Sequence, residues 1–259
     1  MKQRWTEEHY IHSDNCDFKR VCKLSTLLEW MQRAGDAHIA ALGAPIDEMM
    51  QQHGMAWMLT TIDLELIRMP EYGETITLVT WNKGAKGVQW LRDFRVYNAK
   101  EETIGQARTV WILVDLNKRR ILRASALPYV VEANEEDSVG DIPERVNIAD
   151  DVELEHTYTL QVRQSSIDMN GHLNNARFAD ICLDALTPPE LEQRLVRFRI
   201  SYLQEAVLGD EIQIHRAQIP NGENENALNI TDLTTECFIT GQTVEGKRYF
   251  DAYVQLTAV

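Results

Sequence analysis

The sequence predicts an α+β protein made of two tandem units, each a mostly antiparallel sheet wrapped around one long helix. Three observations predict it. Helical and strand patterns recur in one order on either side of an acidic stretch near residue 140, the mark of a duplicated unit. The strand-like segments follow one another too closely for crossover helices. Tyr72-Gly73-Glu74-Thr75-Ile76 and Leu208-Gly209-Asp210-Glu211-Ile212 mark the same turn into the same strand.

In the first half, a polar turn after Tyr10 leads to Thr26-Leu27-Leu28-Glu29, a capping-box pattern expected to open a helix that ends near Gly43. Residues 55–67, 74–81, 88–98 and 103–116 follow, rich in β-branched and aromatic side chains and punctuated by Gly73, Gly84 and Gly87, and read as strands. In the second half, Tyr158 and a polar loop lead to a helix from Asn175 to Leu186, with Phe178, Cys182 and Leu186 at helical spacing. Residues 195–203, 210–218, 227–236 and 248–257 repeat the strand series. This register sets His172 opposite Cys22 and Asn175 opposite Ser25, so that only the second copy keeps a polar constellation.

The net charge is -14, but residues 131–155 alone hold ten acidic side chains against one base, Arg145. That stretch contains Pro128, Gly140 and Pro143 at or near it and lacks periodicity, so it reads as a linker. The expected division is a first unit over 1–135, a linker over 136–155 and a second unit over 156–259. The remaining surface is only mildly acidic, which disfavours nucleic acid yet leaves room for a local basic patch facing an acidic partner. Lys118, Arg119, Arg120 and Arg123, or Arg194, Arg197 and Arg199, are the candidates.

No apolar run has the length of a secretory signal or of a membrane span, so a cytoplasmic protein without membrane insertion is expected. Cys16, Cys22, Cys182 and Cys237 show neither CxxC pairing nor metal spacing, and thiols rather than disulfides or zinc are expected. All six tryptophans lie in the first 111 residues, and seven of the eight methionines at or before Met69. Adaptable apolar side chains suit a pocket for a flexible chain. Met49, Met50, Trp57 and Met58 are the candidate lining, although core packing is the stronger reading for any single one of them.

The chemistry concentrates in Asp168-Met169-Asn170-Gly171-His172-Leu173-Asn174-Asn175. A carboxylate, an imidazole and carboxamides are delivered to the expected start of a helix, where amide N–H groups favour developing negative charge. Either Asn174 or Asn175 is expected to be spent as the helix cap. His172 lacks a second histidine at metal-ligand spacing, so no metal is expected.

This run, followed by Phe178, resembles the DxNxHVNNxxY signature of the plant and bacterial acyl-ACP thioesterases, as do the tandem repeat, the Trp-rich first half and Glu205 some thirty residues downstream. The resemblance implies a double hotdog fold, catalytic Asp168, Asn170, His172 and Glu205, no cofactor, and acyl carrier protein bearing an acyl chain as the partner. It implies an enzyme of fatty acid biosynthesis that releases free fatty acid. Where the plant enzymes carry a cysteine after the glutamate, this chain has Ala206, so water attack with Glu205 as general base replaces a thiolate nucleophile. Glu205 is expected in a desolvated, strand-rich segment. An acyl-CoA thioesterase is the nearest alternative, followed by a non-catalytic acyl-binding module and a hydratase. A tandem hotdog already buries the contact that single units make by dimerising, which leaves a homodimer of the whole chain open.

Overall fold

The computed structural model describes residues 3–219 and 234–259. The chain forms two compact units, Met1–Pro143 and Glu144–Val259. Unit 1 runs β1 (Trp5–Tyr10), α1 (Leu24–Ala41), α2 (Ile46–His53), β2 (Met55–Leu66), β3 (Thr75–Lys86), β4 (Gln89–Tyr97), β5 (Thr103–Asp115) and the short β6 (Arg120–Leu122). Its antiparallel strands lie in the order β1-β3-β4-β5-β2, with β6 on β5. Unit 2 runs β7 (Glu155–Gln161), α3 (Arg177–Leu183), α4 (Pro188–Leu191), β8 (Arg194–Tyr202), β9 (Glu211–Ile219), β10 (Thr234–Gln242) and β11 (Arg248–Thr257). Its order, β7-β9-β10-β11-β8, is that of unit 1 strand for strand. Gly73 and Gly209, both at left-handed φ (85° and 91°), make the same turn into β3 and β9. Of the expected 227–236 strand, residues 227–233 lie outside the described residues; β10 begins at Thr234 and runs on through Cys237-Phe238-Ile239-Thr240-Gly241.

Three expectations need correction. Helix α1 starts at Leu24, so Thr26 lies inside it and caps nothing. The apolar stripe Leu24, Leu27, Leu28, Met31 is buried from its first residue, and burying it outweighs the capping box. The second helix is not long: α3 has 7 residues, and the chain turns at Asp184 before Thr187-Pro188-Pro189, where proline rings exclude continued helix. The linker over 136–155 is the third, because its residues are bound up in both units.

Residues 132–140 lie against the outer face of β3, β4 and β5. Lys83 Nζ donates to the carbonyls of Asn134, Glu135 and Asp137 at 2.6, 3.0 and 2.7 Å, and Trp81 Nε1 donates to Asp137 O at 3.0 Å. The Asp137 carboxylate accepts from Arg95 at 2.8 and 3.0 Å and from Arg4 at 2.6 Å. Both guanidiniums lie over the Trp81 ring. Further along, Val139 N donates to Asp93 Oδ2, and Asp93 holds Arg108 in a buried bidentate pair at 2.6 Å. On the unit 2 side of the boundary, Val146 N donates to buried Ser201 Oγ at 2.9 Å, and Val146 and Ile148 are buried. Acidic composition hid a strap that basic side chains of the sheet hold by carboxylate and carbonyl alike.

Among the described residues no helix is long and apolar enough to cross a membrane. The inner face of unit 1 packs against α1 through Leu27, Leu28, Met31, Ala34 and Ile39. In unit 2, Phe178 of α3 meets Tyr202 and Phe250 edge-on at 5.5 and 5.2 Å, and Tyr158 OH ties Ile181 O to the sheet at 2.7 Å.

Candidate active site

The loop between β7 and α3 is built around one carboxylate. Asp168 Oδ1 accepts from the backbone N–H of Asn170 at 2.8 Å and of His172 at 3.3 Å, while Asp168 N donates to His172 O at 2.8 Å. The chain closes on itself in a turn with Gly171 at φ 82°. His172 pairs across a β-bridge with Val207, and Leu173 N donates to Ala206 O at 2.7 Å, so the segment after β8 clamps the loop from below. The clamp sets His172 Nε2 3.3 Å from Glu205 Oε2. Asn170 is exposed, with its Nδ2 3.4 Å from Asp168 Oδ2. The structure thus brings together all four residues that the resemblance implied.

Asn174 is the asparagine spent on the helix entry: its Oδ1 accepts from Ala176 N at 2.9 Å. Asn175 contributes its carbonyl to Tyr202 OH at 2.9 Å. At the helix start, expected to hold an oxyanion, several amides are already spent. Helix α3 begins at Arg177, and the N–H groups of Ala176, Arg177 and Ala179 are taken by Asn174 Oδ1, Asn174 O and Ala176 O. Glu205 is not desolvated either, since half its side chain is exposed. Ala206 is buried, turned inward between exposed Glu205 and Val207.

Unit 1 contains the same loop without the chemistry. Asp17 Oδ1 accepts from Lys19 N at 2.8 Å and Val21 N at 3.2 Å, Asp17 N donates to Val21 O at 2.9 Å, and Cys22 N donates to Pro70 O at 2.7 Å. Val21 bridges to Glu71 as His172 does to Val207, and Arg20 holds the left-handed position of Gly171 at φ 64°. His172 therefore falls opposite Val21, and Cys22 opposite Leu173, one residue away from the expected register. Met69 takes the place of Glu205 and Lys19 that of Asn170. The aspartate is retained in both copies, contrary to the expectation that the constellation belongs to one. Asp17-x-x-x-Val21 beside Asp168-x-x-x-His172 was the signal that the sequence offered for it.

The candidate chain-binding residues divide. Met49 of α2 is buried in a cluster with Ile39, Leu42, Ala44, Trp90 and Leu113, against which half-buried Trp57, Met55 and Trp111 pack. Trp57 meets Trp90 edge-on at 5.8 Å. Met58, one residue on along β2, is on the opposite face of the strand and 37% exposed, so it does not join them. Met50 is half-buried on α2. Cys22, Cys182 and Cys237 are buried thiols; burial pushes those of Cys22 and Cys237 up to about 12 and that of Cys182 well upward, so none is a ready nucleophile. Among the described residues no group of three or more His, Cys, Asp or Glu side chains could hold a metal ion.

Comparison with known proteins agrees with this architecture over nearly the whole chain. Residues 2–126 match the model of the acyl-ACP thioesterase N-terminal domain and residues 118–251 that of the C-terminal domain. A palmitoyl-acyl carrier protein thioesterase of Gossypium hirsutum is 21% identical over 247 residues, covering 90% of this chain and 59% of the relative. An acyl-[acyl-carrier-protein] hydrolase of Cuphea viscosissima is 23% identical, covering 82% of this chain and 55% of the relative. The chain thus spans little more than half the length of these curated relatives. Among solved structures, an acyl-ACP thioesterase from Bacteroides thetaiotaomicron superposes with a TM-score of 0.76 at 21% identity, covering 98% of both chains. The 12:0-ACP thioesterase from Umbellularia californica gives 0.75 at 16% identity, covering 98% of this chain and 94% of that one. The fold is a double hotdog, and the chain belongs to the acyl-ACP thioesterase family.

Proposed function

We propose that the protein hydrolyses the thioester of acyl-acyl carrier protein to free fatty acid and carrier thiol, using His172, Glu205, Asn170 and Asp168. The observation that carries the reading is the 3.3 Å contact between His172 Nε2 and Glu205 Oε2 on an open loop, where the duplicate loop has Val21 and Met69. Selection for packing alone would not separate the two copies in this way.

In this reading Glu205 takes a proton from water as the water oxygen bonds to the thioester carbon, and His172 holds that water in line. The carbonyl oxygen, gaining negative charge, accepts a hydrogen bond from Asn170 Nδ2. Collapse of the tetrahedral adduct breaks the C–S bond. A thiolate is a good enough leaving group to need no strong acid, and it recovers the proton through Glu205 or solvent. Asp168 touches no reacting atom here; it places His172 and Asn170 through their backbone N–H groups. Ala206, buried beneath the loop, supplies no nucleophile. The acyl chain is assigned to the Met49, Trp57 and Trp90 cluster of unit 1.

The carrier reading rests on family and on charge. Lys118, Arg119, Arg120 and Arg123 are exposed around the β5–β6 turn, whereas Arg197 and Arg199 on β8 are half-buried, so the former patch is better placed for an acidic carrier. A cytoplasmic location, free fatty acid as the end product, and homodimerisation belong to the same proposal.

Replacing either side chain of the pair tests the reading. His172→Ala and Glu205→Ala are each expected to lower acyl-ACP hydrolysis by about a hundredfold or more, with the melting transition retained. Near-normal turnover in both variants would remove the assignment. Turnover of one acyl group on carrier protein and on coenzyme A, at low and high salt, separates the two carriers: a carrier-protein enzyme loses kcat/KM with salt on the protein carrier far more than on the nucleotide one.

A further inference from the structure

We infer that the apolar cluster of unit 1 is built for an acyl chain bearing a keto group, whose oxygen accepts a hydrogen bond from Trp90 Nε1. This rests on the assignment of the acyl chain to that cluster. Trp90 is nine-tenths buried, and its Nε1 has no hydrogen-bond partner. Other indoles of the unit are satisfied: Trp5 donates to Glu7 Oε1, Trp81 to Asp137 O and Trp111 to Thr109 Oγ1, at 2.8 to 3.0 Å. An orphaned buried donor is destabilising, and phenylalanine would fill much the same space without it.

The orphan lies among members of the cluster assigned to the chain: Trp57 is edge-on to it, Trp111 on β5 is its direct cross-strand partner, and both are half-buried. The protein offers no acceptor from the next residue on that strand face. Arg92 is buried there, its Nη1 meeting His38 Nδ1 at 2.9 Å and Thr80 Oγ1 at 3.2 Å, and a guanidinium has only donors. A ligand atom that meets Trp90 Nε1 must accept, because an indole N–H only donates. A ketone oxygen does this; a hydroxyl would bring a hydrogen needing an acceptor of its own, and a saturated chain leaves the indole unpaired.

Binding of free fatty acids reads this directly. Calorimetry would compare a saturated acid with acids of the same length carrying a keto group at successive carbons, on the wild-type protein and on Trp90→Phe. At one keto position the wild-type protein should bind about tenfold more tightly than the saturated acid, the scale of one hydrogen bond to an otherwise orphaned donor, and Trp90→Phe should bring that ratio to about one. The inference is overturned if no keto position outbinds the saturated chain on wild-type protein, if the preference survives in Trp90→Phe, or if no acid binds at all. The wild-type comparison stands even where the variant fails to fold. Hydrolysis of the matching acyl-ACPs keeps the two readings apart: a keto preference in binding without turnover of any acyl-ACP would sink the thioesterase reading and leave this one.

Discussion

At the scale of single residues, the two aspartates separate scaffolding from chemistry. Asp17 and Asp168 accept the same pair of backbone N–H groups at the same distances to within 0.1 Å, yet only Asp168 lies beside a histidine and a glutamate. What they share must be structural. Asp17→Ala and Asp168→Ala should each cost about 1–2 kcal/mol in a denaturant titration, since each leaves two loop amides without their acceptor. Only Asp168→Ala should also lower acyl-ACP turnover, by about tenfold or more, because His172 and Asn170 lose their placement. Asp168→Asn, whose amide oxygen still accepts both bonds, should recover most of it; if it is as inactive as the alanine variant, the charge of Asp168 itself takes part in the chemistry.

At the scale of elements, the pairing of α1 with β4 buries charge where a hotdog expects only apolar packing. Gly35 is the close approach: a Cβ there would lie 3.3 Å from Arg92 Cδ. Burial pulls Arg92 down to about 10, and burial pushes the neighbouring Asp36 carboxyl up to about 6 although Arg92 pulls the other way. A carboxyl whose folded pKa lies above its unfolded value favours the folded state most when protonated. Its contribution is full at low pH and is lost as pH rises from about 4 to about 6. The stability difference between Asp36→Asn and wild-type protein should therefore move in the variant's favour by up to roughly 3 kcal/mol over that interval, then level off. Chemical denaturation at half-unit pH steps measures it, and a flat difference would show that Asp36 ionises freely in the folded protein. Strand and helix types were readable here from periodicity, but a charge inside the helix–sheet interface was not, because Asp36, His38 and Arg92 stand among residues that read as surface polars.

At the scale of the whole molecule, ten acidic side chains over residues 131–155 looked like a solvated linker and in fact include a strap across the outer face of unit 1. Asp137→Ala removes the carboxylate held by Arg95 and Arg4 and should lower stability by about 2–3 kcal/mol. Limited proteolysis should then cut first within 132–142, and unchanged cleavage kinetics would show that the backbone bonds to Lys83 and Trp81 suffice. The sequence by itself determined the duplication, the strand series and the order Asp168, Asn170, His172, Glu205, because period, turn glycines and motif spacing are local quantities. The turn glycines by themselves left the register of the two loops one residue off; the spacing of Asp17 and Asp168 carried the right one, and the paired turns in space make it plain. Tertiary structure alone decided that the segment after β8 clamps the loop and sets His172 against Glu205, that the start of α3 spends its amides on Asn174 and its own turn, and that the acidic stretch is strapped down. The clamp and the strap are contacts between segments far apart along the chain, while the α3 start is settled within a few residues by which group reaches each amide first; in all three, backbone and charge must find partners that the one-dimensional pattern does not name.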